Sequence, residues 1–152
     1  MQTNRFVSPR TAAGFTLIEM LIAVSVASVL SSVAYPSFQG TLHKARRTDA
    51  LVALMQVQAA QERWRANHRS YGNSLTEIGA PSVSSAGHYT LQVLSADSER
   101  YELVAVATGN QARDTACRHL KLTLDGATVT HASGSDALVA NPATANRRCW
   151  SM

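Results

Sequence analysis

The sequence lacks the residue patterns that usually carry chemistry. Its only cysteines, Cys117 and Cys149, have 31 residues between them and no adjacent histidine pair, which argues against a zinc site. Neither a Gly-x-Ser-x-Gly motif nor a phosphate-binding glycine loop occurs. The histidines also show no spacing typical of metal ligands. We therefore expect a structural module and not an enzyme, with no catalytic set, metal or cofactor. The five histidines are His43, His68, His88, His119 and His131.

Acidic residues are absent from the first 18 positions, where Arg5 and Arg10 are the charged residues. The formal net charge is +4, and without these two arginines twelve basic residues face ten acidic ones. Such an excess is too small to predict nucleic-acid binding from charge alone. Residues 1–14 are polar and basic, so we interpret them as a leader peptide and not as part of the fold.

A single long apolar run follows, from Phe15 to Ala34. Fourteen of its twenty residues are apolar and four are serines. As a helix it would span about 30 Å, the thickness of a bilayer's hydrocarbon core. Its serines can donate hydrogen bonds to carbonyls of the preceding turn. The basic leader favours a cytoplasmic N-terminus, so the run predicts one membrane-spanning helix.

Glu19 is out of place in this run, because a carboxylate inside a membrane helix costs a few kcal/mol. If the chain were cut between Gly14 and Phe15, the new amine of Phe15 would lie one helical turn away. Glu19 could then pair with that amine or with the amine of a neighbouring chain. It would also lie at the positive end of the helix dipole. Cleavage after Gly14 therefore explains the carboxylate.

Residues 14–19, Gly-Phe-Thr-Leu-Ile-Glu, resemble the prepilin cleavage motif of type IV pilins and type II secretion pseudopilins. The resemblance implies that a prepilin peptidase cuts between Gly14 and Phe15 and methylates the amine of Phe15. It also implies that Glu19 guides docking into a growing filament and that Pro36 kinks the helix. The implied partners are other pilin subunits, the prepilin peptidase and an inner-membrane assembly platform.

The expected organisation is a leader over residues 1–14, a transmembrane and assembly helix over 15–35, and a periplasmic globular domain over 36–152. An ordinary secretory signal is the alternative, because Ser32-Val33-Ala34 is a small-x-small triplet that would place the cut before Tyr35. The length of the apolar run and the presence of Glu19 favour the pilin interpretation.

The rest of the sequence predicts an α+β fold, with the long N-terminal helix packed on a four-stranded antiparallel sheet. The helix continues over residues 41–68. Angular counting places Val57 and Trp64 on one side of it. The opposite, leading face carries Leu51, Leu54, Met55, Gln58, Ala59, Glu62 and Ala66. A loop over 67–87 follows. Alternating strands are expected at 88–94, 100–108, 119–124 and 127–132, with a hairpin at Asp125-Gly126.

An even number of cysteines in an exported chain predicts one disulfide, between Cys117 and Cys149. In the chain-entropy model a loop of this size stabilises the fold by about 3.5–4 kcal/mol. The bond would close a C-terminal tail, and we expect residues 134–148 to be irregular. In pilins, which the N-terminal motif resembles, this closed tail is a common surface for partner contacts.

Residues 46–50, 61–64 and 70–71 resemble the PilE-like minor pilins. We therefore expect a structural subunit of a type IV pilus, a minor pilin, which begins in the bacterial inner membrane and ends in a surface filament for motility, adhesion or DNA uptake. A type II secretion pseudopilin is one alternative. Lys44, Arg46 and Arg47 are interpreted as a solvated face beside Asp49, with lipid or DNA contact as the other hypothesis.

A DNA-binding competence pilin is the second alternative. It would need basic side chains gathered on one exposed surface. If the disulfide forms, five of them could approach one another: Arg113, Arg118, Lys121, Arg147 and Arg148.

Overall fold

The computed structural model of the protein describes residues 14–151, apart from the side chain of Pro36. The predicted leader, with Arg5 and Arg10, therefore lies outside the described residues except for Gly14. The chain divides into two compact units between residues 38 and 39. In order, the elements are α1 (Leu17–Arg65), β1 (Tyr89–Ala96), β2 (Arg100–Ala107), 3₁₀ turns at Gly109–Arg113 and Thr115–Cys117, β3 (His119–Asp125), β4 (Thr128–Gly134) and α2 (Ala143–Trp150).

The first unit contains the N-terminal part of α1. Its large apolar side chains are exposed, from Phe15 at 79% to Phe38 at 64%. The hydroxyls of Ser25 and Ser28 donate to carbonyls of the preceding turn at 2.8 Å, as expected for serines in a membrane helix. Among the described residues, α1 is long and apolar enough to cross a membrane, with a mean hydropathy of 2.1 over its most apolar window. The helix continues through Pro36, and the kink there stays a prediction.

The second unit is built around a four-stranded antiparallel sheet in the order β1-β2-β3-β4. Each strand lies beside its neighbour in sequence, so the predicted meander is confirmed. Leu103 of β2 pairs with Leu122 of β3, and both are buried on the face that carries Tyr89 and Tyr101. The hairpin after Asp125 turns at Gly126, whose φ of +57° suits glycine.

The part of α1 in this unit supplies the other half of the core, and its buried stripe overlaps only partly with the one expected: Leu51 and Leu54 are buried as expected. Met55 is 59% exposed, whereas Val57 is 1% exposed. Angular counting was wrong because it gave most weight to large apolar residues. The buried stripe also uses alanines, whose small side chains allow the helix backbone to approach the sheet closely. The buried residues of this stripe are Ala50, Leu51, Ala53, Leu54, Val57, Ala60 and Gln61.

The C-terminal tail is helical where we expected irregular structure. Residues Ala143–Trp150 form α2. A helix of eight residues is marginal by itself, so contacts with the rest of the fold must stabilise it. Asn146 Nδ2 donates to the His131 carbonyl at 2.8 Å, and Trp150 Nε1 donates to the Ala132 carbonyl at 3.2 Å. These long-range bonds to β4 leave no local sequence pattern, which explains why the helix was missed.

The predicted disulfide is present. Cys117 and Cys149 are bonded, with their Cα atoms 5.4 Å apart, and both are buried. The bond joins the 3₁₀ turn before β3 to the last turn of α2.

Replacing both cysteines by serine should lower the free energy of unfolding by about 3.5–4 kcal/mol, because the unfolded chain regains the entropy of a loop with a sequence separation of 32. Chemical denaturation of the full-length protein in detergent measures this loss. Unchanged stability of the double variant would contradict a stabilising role for the bond.

Candidate functional site

The first candidate site is the start of α1, where Glu19 is hydrogen-bonded to the residue before the helix. The amide of Glu19 donates to Thr16 Oγ1 at 3.3 Å, and the amide of Thr16 lies 3.4 Å from Glu19 Oε2. This reciprocal arrangement is a capping box, in which Thr16 caps the helix and Glu19 occupies its third position. Sequence reasoning missed the role of Thr16, although the Thr-x-x-Glu spacing is its signal. The carboxylate thus lies at the positive end of the helix dipole.

Gly14 and Phe15 both precede α1 and are exposed. The peptide bond between them therefore lies outside the helix in exposed chain. Cleavage at this bond, methylation of Phe15 and docking through Glu19 remain predictions.

The connection between α1 and β1 is attached to the helix at both of its ends. At the first end, the buried side-chain amide of Gln61 donates a hydrogen bond to the carbonyl of Gly72 and accepts one from the Gly72 backbone amide, both at 2.8 Å. At the second end, Asp49 accepts hydrogen bonds from the Ser84 hydroxyl and from the amides of Ala86 and His88. An exposed connecting segment is thereby held in one conformation on the globular domain.

The hydrogen bonds to Asp49 also set its protonation. Burial raises the pKa of this carboxyl, but the hydrogen bonds from Ser84, Ala86 and His88 outweigh burial, so the net pKa lies below its usual value. Asp49 is therefore an anchor for the loop.

Arg47 is paired with Asp114 and is not part of a solvated face, so that interpretation was wrong for Arg47, whereas Lys44 is exposed. Its Nε lies 2.6 Å from Asp114 Oδ2, and its second terminal nitrogen lies 3.0 Å from Oδ1. The buried Gln111 amide donates to Asp114, to the Tyr89 hydroxyl and to the His43 carbonyl. Burial raises the pKa of Tyr89 to about 12, so its hydroxyl stays protonated. Arg47 and Asp114 lie 67 residues apart in sequence, and His43 and Gln111 lie 68 apart, which hid these contacts from sequence reasoning.

The second candidate site is a group of arginines around the disulfide, which we call the arginine cluster: Arg113, Arg118, Arg147 and Arg148. Arg118 and Arg148 each adjoin a bonded cysteine, and Arg118 Nε donates to the Ala112 carbonyl at 3.1 Å, next to Arg113. Within residues 14–151 none of the four lies in an ion pair with a carboxylate. Four of the five expected basic residues thus lie in the two chain segments that the disulfide joins, and the approach of their side chains stays a prediction.

Lys121, the fifth, belongs elsewhere. Its Nζ lies 3.3 Å from Glu102 Oε2, and Glu102 also pairs with Arg100. Arg100 and Glu102 lie on β2, and Lys121 lies on the neighbouring strand β3. The pKa of Glu102 is lowered by the hydrogen bond from Arg100 and by Lys121. Lys121 is therefore neutralised locally and is not part of the arginine cluster.

Over the described part of the chain, no group of three or more histidine, cysteine, aspartate or glutamate side chains is arranged to hold a metal ion. The first site offers an apolar helix surface with one carboxylate. The second offers the positively charged side chains of the arginine cluster.

Comparison with known families agrees with this architecture. The model of the prokaryotic N-terminal methylation motif matches residues 9–35, and the model described as type IV minor pilin ComP, DNA uptake sequence receptor, matches residues 36–121. The long helix, the antiparallel meander and the disulfide-closed tail define the class as a type IV pilin. More narrowly, the chain belongs to the ComP family of type IV minor pilins, and it is a pilus subunit.

Similar individual proteins are also type IV pilins. The type IV wide pilus major component PilA4 of Thermus thermophilus is 29% identical over 101 residues, which cover 66% of this chain and 77% of the relative. The type IV major pilin PilA of Myxococcus xanthus is 30% identical over 65% of this chain and 44% of its own length. The type IV major pilin PilE of Neisseria gonorrhoeae is 31% identical over 53% and 48%. The matches to the last two thus span less than half of those proteins.

Replacing Asp49 by asparagine should lower the free energy of unfolding at pH 7 by about 1–2 kcal/mol, because backbone amides lose a charged acceptor. The wild-type carboxylate has a lowered pKa in the folded state, so its stabilising effect is present above pH 4 and is lost as the pH falls further. The difference between variant and wild type should therefore shrink below pH 4.

Denaturation of the full-length protein between pH 7 and pH 3 tests this expectation, with the exposed Asp125→Asn as the matched control. A deficit in Asp49→Asn that is absent at pH 7, or no larger than that of the control, would contradict the anchoring role.

Proposed function

We propose that the chain enters the inner membrane through residues 15–35, with residues 1–14 on the cytoplasmic side and residues 36–152 in the periplasm. The prepilin peptidase then cuts between Gly14 and Phe15 and methylates the amine of Phe15. Three observations support this order of events. The methylation-motif match spans the cleavage point, the bond is exposed outside the helix, and the following helix is long and apolar enough to span a bilayer.

The observation that carries the assembly proposal is the exposure of the apolar side chains in the first unit. From Leu17 to Val33 the large apolar residues are each more than half exposed. A chain leaves lipid for an aqueous filament only if this surface is covered again, and the matching helices of neighbouring subunits provide that cover. The filament is therefore held together by burial of α1.

Glu19 guides the docking of each subunit into the growing filament. Its capping interaction with Thr16 keeps the carboxylate at the end of the helix, where a neighbour's Phe15 amine can reach it. Pairing replaces the cost of a lone carboxylate in an apolar environment by a charge-assisted hydrogen bond. The partners in this scheme are other pilin subunits, the peptidase and the membrane assembly platform.

Replacing Glu19 by valine should leave insertion and folding intact but reduce the subunit's content in sheared pili at least tenfold, because the docking partner of the Phe15 amine is lost. Immunoblots of sheared pili and of membranes measure the two pools. Glu99→Val, which removes an exposed carboxylate of the β1–β2 link, is the control. Wild-type pilus content of Glu19→Val would refute the scheme.

DNA binding is a second candidate function, and the arginine cluster is the observation that favours it. The matching family is described as a DNA uptake sequence receptor. The disulfide brings together four arginines that lack carboxylate partners among the described residues. Guanidinium groups bind phosphates well, and a cluster of them releases several counterions from DNA on binding. We propose that this end of the domain contacts the DNA backbone.

Replacing Arg147 and Arg148 by alanine should weaken binding of duplex DNA and lower the slope of log affinity against log salt by about one to two. Fluorescence anisotropy with the full-length protein in detergent, at several salt concentrations, measures both quantities. Arg63→Ala is the control, since Arg63 is exposed at the far end of α1. Equal salt slopes for the double variant and the wild type would contradict the proposed surface.

A further inference from the structure

Arg47 differs from the arginine cluster in being enclosed. Its side chain is 14% exposed, and that of its partner Asp114 is 8% exposed. The two form a bidentate pair, with nitrogen–oxygen distances of 2.6 and 3.0 Å. A guanidinium that is committed in this way on two of its nitrogens is poorly placed to bind an external phosphate. The function of Arg47 must therefore lie within the protein.

The remaining terminal nitrogen of Arg47 reaches α2. It donates to the carbonyl of Arg148 at 2.8 Å. This carbonyl lies in the last turn of α2, where carbonyls have no partner in the helix and where a positive charge stabilises the dipole. Ser151 Oγ donates to the same oxygen at a longer 3.3 Å. Arg47 thus caps α2 from a distance of about 100 residues in sequence.

Asp114 of this ion pair also contacts the segment that carries Cys117, on the other side of the disulfide. The carbonyl of Asp114 accepts the amide of Cys117 at 3.0 Å, which fixes the turn that leads to Arg118. Arg47 therefore contacts both segments that the disulfide joins. One segment carries Arg113 and Arg118, and the other carries Arg147 and Arg148.

Charge balance gives Arg47 a second effect. Asp114 is the carboxylate embedded beside the arginine cluster, and Arg47 neutralises it with a matched fork of hydrogen bonds. The four cluster arginines, which lack such partners within the described residues, keep their positive charge for an external ligand.

We propose that Arg47, with Asp114, is a positioning residue for DNA binding. The pair holds the two segments of the arginine cluster at a fixed separation, so that their guanidinium groups contact neighbouring phosphates together. Charges that are already held in place lose less conformational entropy when the ligand binds. The proposal rests on the DNA-binding function proposed above, but the ordering of α2 by Arg47 can be measured without DNA.

The first test is Arg47→Lys, which keeps the positive charge beside Asp114 but removes the fork that reaches the Arg148 carbonyl. With full-length protein in detergent and a duplex DNA of about 30 base pairs, we expect about tenfold weaker binding and a salt slope reduced by about one. Hydrogen exchange of the α2 amides should become faster. Arg46→Lys, the neighbouring substitution outside the ion pair, should change neither quantity.

The second test separates positioning from plain charge. Asp114→Asn removes one negative charge beside the cluster, which makes the net charge there more positive by one, but releases the guanidinium of Arg47 from its bidentate partner. An account based on net charge predicts tighter DNA binding, whereas positioning predicts weaker binding with faster exchange in α2. Tighter binding by Asp114→Asn would overturn the proposal.

The remaining outcomes are also decisive. Unchanged α2 exchange in Arg47→Lys would overturn the positioning role whether or not DNA binds. Faster exchange with unchanged DNA affinity would overturn the link between positioning and binding. If the wild-type protein binds no DNA at low salt, the DNA-binding function fails, and the exchange data alone then decide whether Arg47 orders α2.

Discussion

The apolar surface of the N-terminal part of α1 is the constraint on which the rest of the molecule depends. Its leucine, isoleucine and valine side chains are exposed to an extent that no folded soluble chain maintains in water. The surface needs lipid or other helices around it. A pilus subunit is surrounded first by lipid and then by the helices of other subunits. Glu19, hydrogen-bonded to Thr16, lies at the N-terminal end of this apolar surface.

The globular unit has the opposite character, because it covers its own core and presents charge. Alanines along α1 allow the sheet to approach closely, and the Cys117–Cys149 bond attaches α2 to the turn before β3. Arg47 and Asp114 add an ionic connection between the same two segments. The two segments that carry the arginine cluster are thus joined by a covalent bond and by an ion pair.

Local and repeating features could be predicted from the sequence. The alternating pattern over 119–124 predicted the third strand, in which Leu120, Leu122 and Leu124 are buried, the Asp125-Gly126 pair predicted the hairpin, and the cysteine count predicted the disulfide. Features that depend on distant partners could not. The sequence around Arg47 does not predict its contact with Asp114. The sequence around residue 146 does not predict the hydrogen bonds to β4 that stabilise α2. The buried stripe of α1 was misjudged for a related reason, since the value of a small alanine depends on what packs against it.

The central claim is that the mature chain begins at Phe15 with a modified amine. Mass spectrometry of the N-terminal peptide of the protein recovered from pili measures this most directly. The account predicts a peptide that starts with N-methylphenylalanine at Phe15. A peptide that retains residues 1–14, or one that begins at Tyr35, would contradict the account.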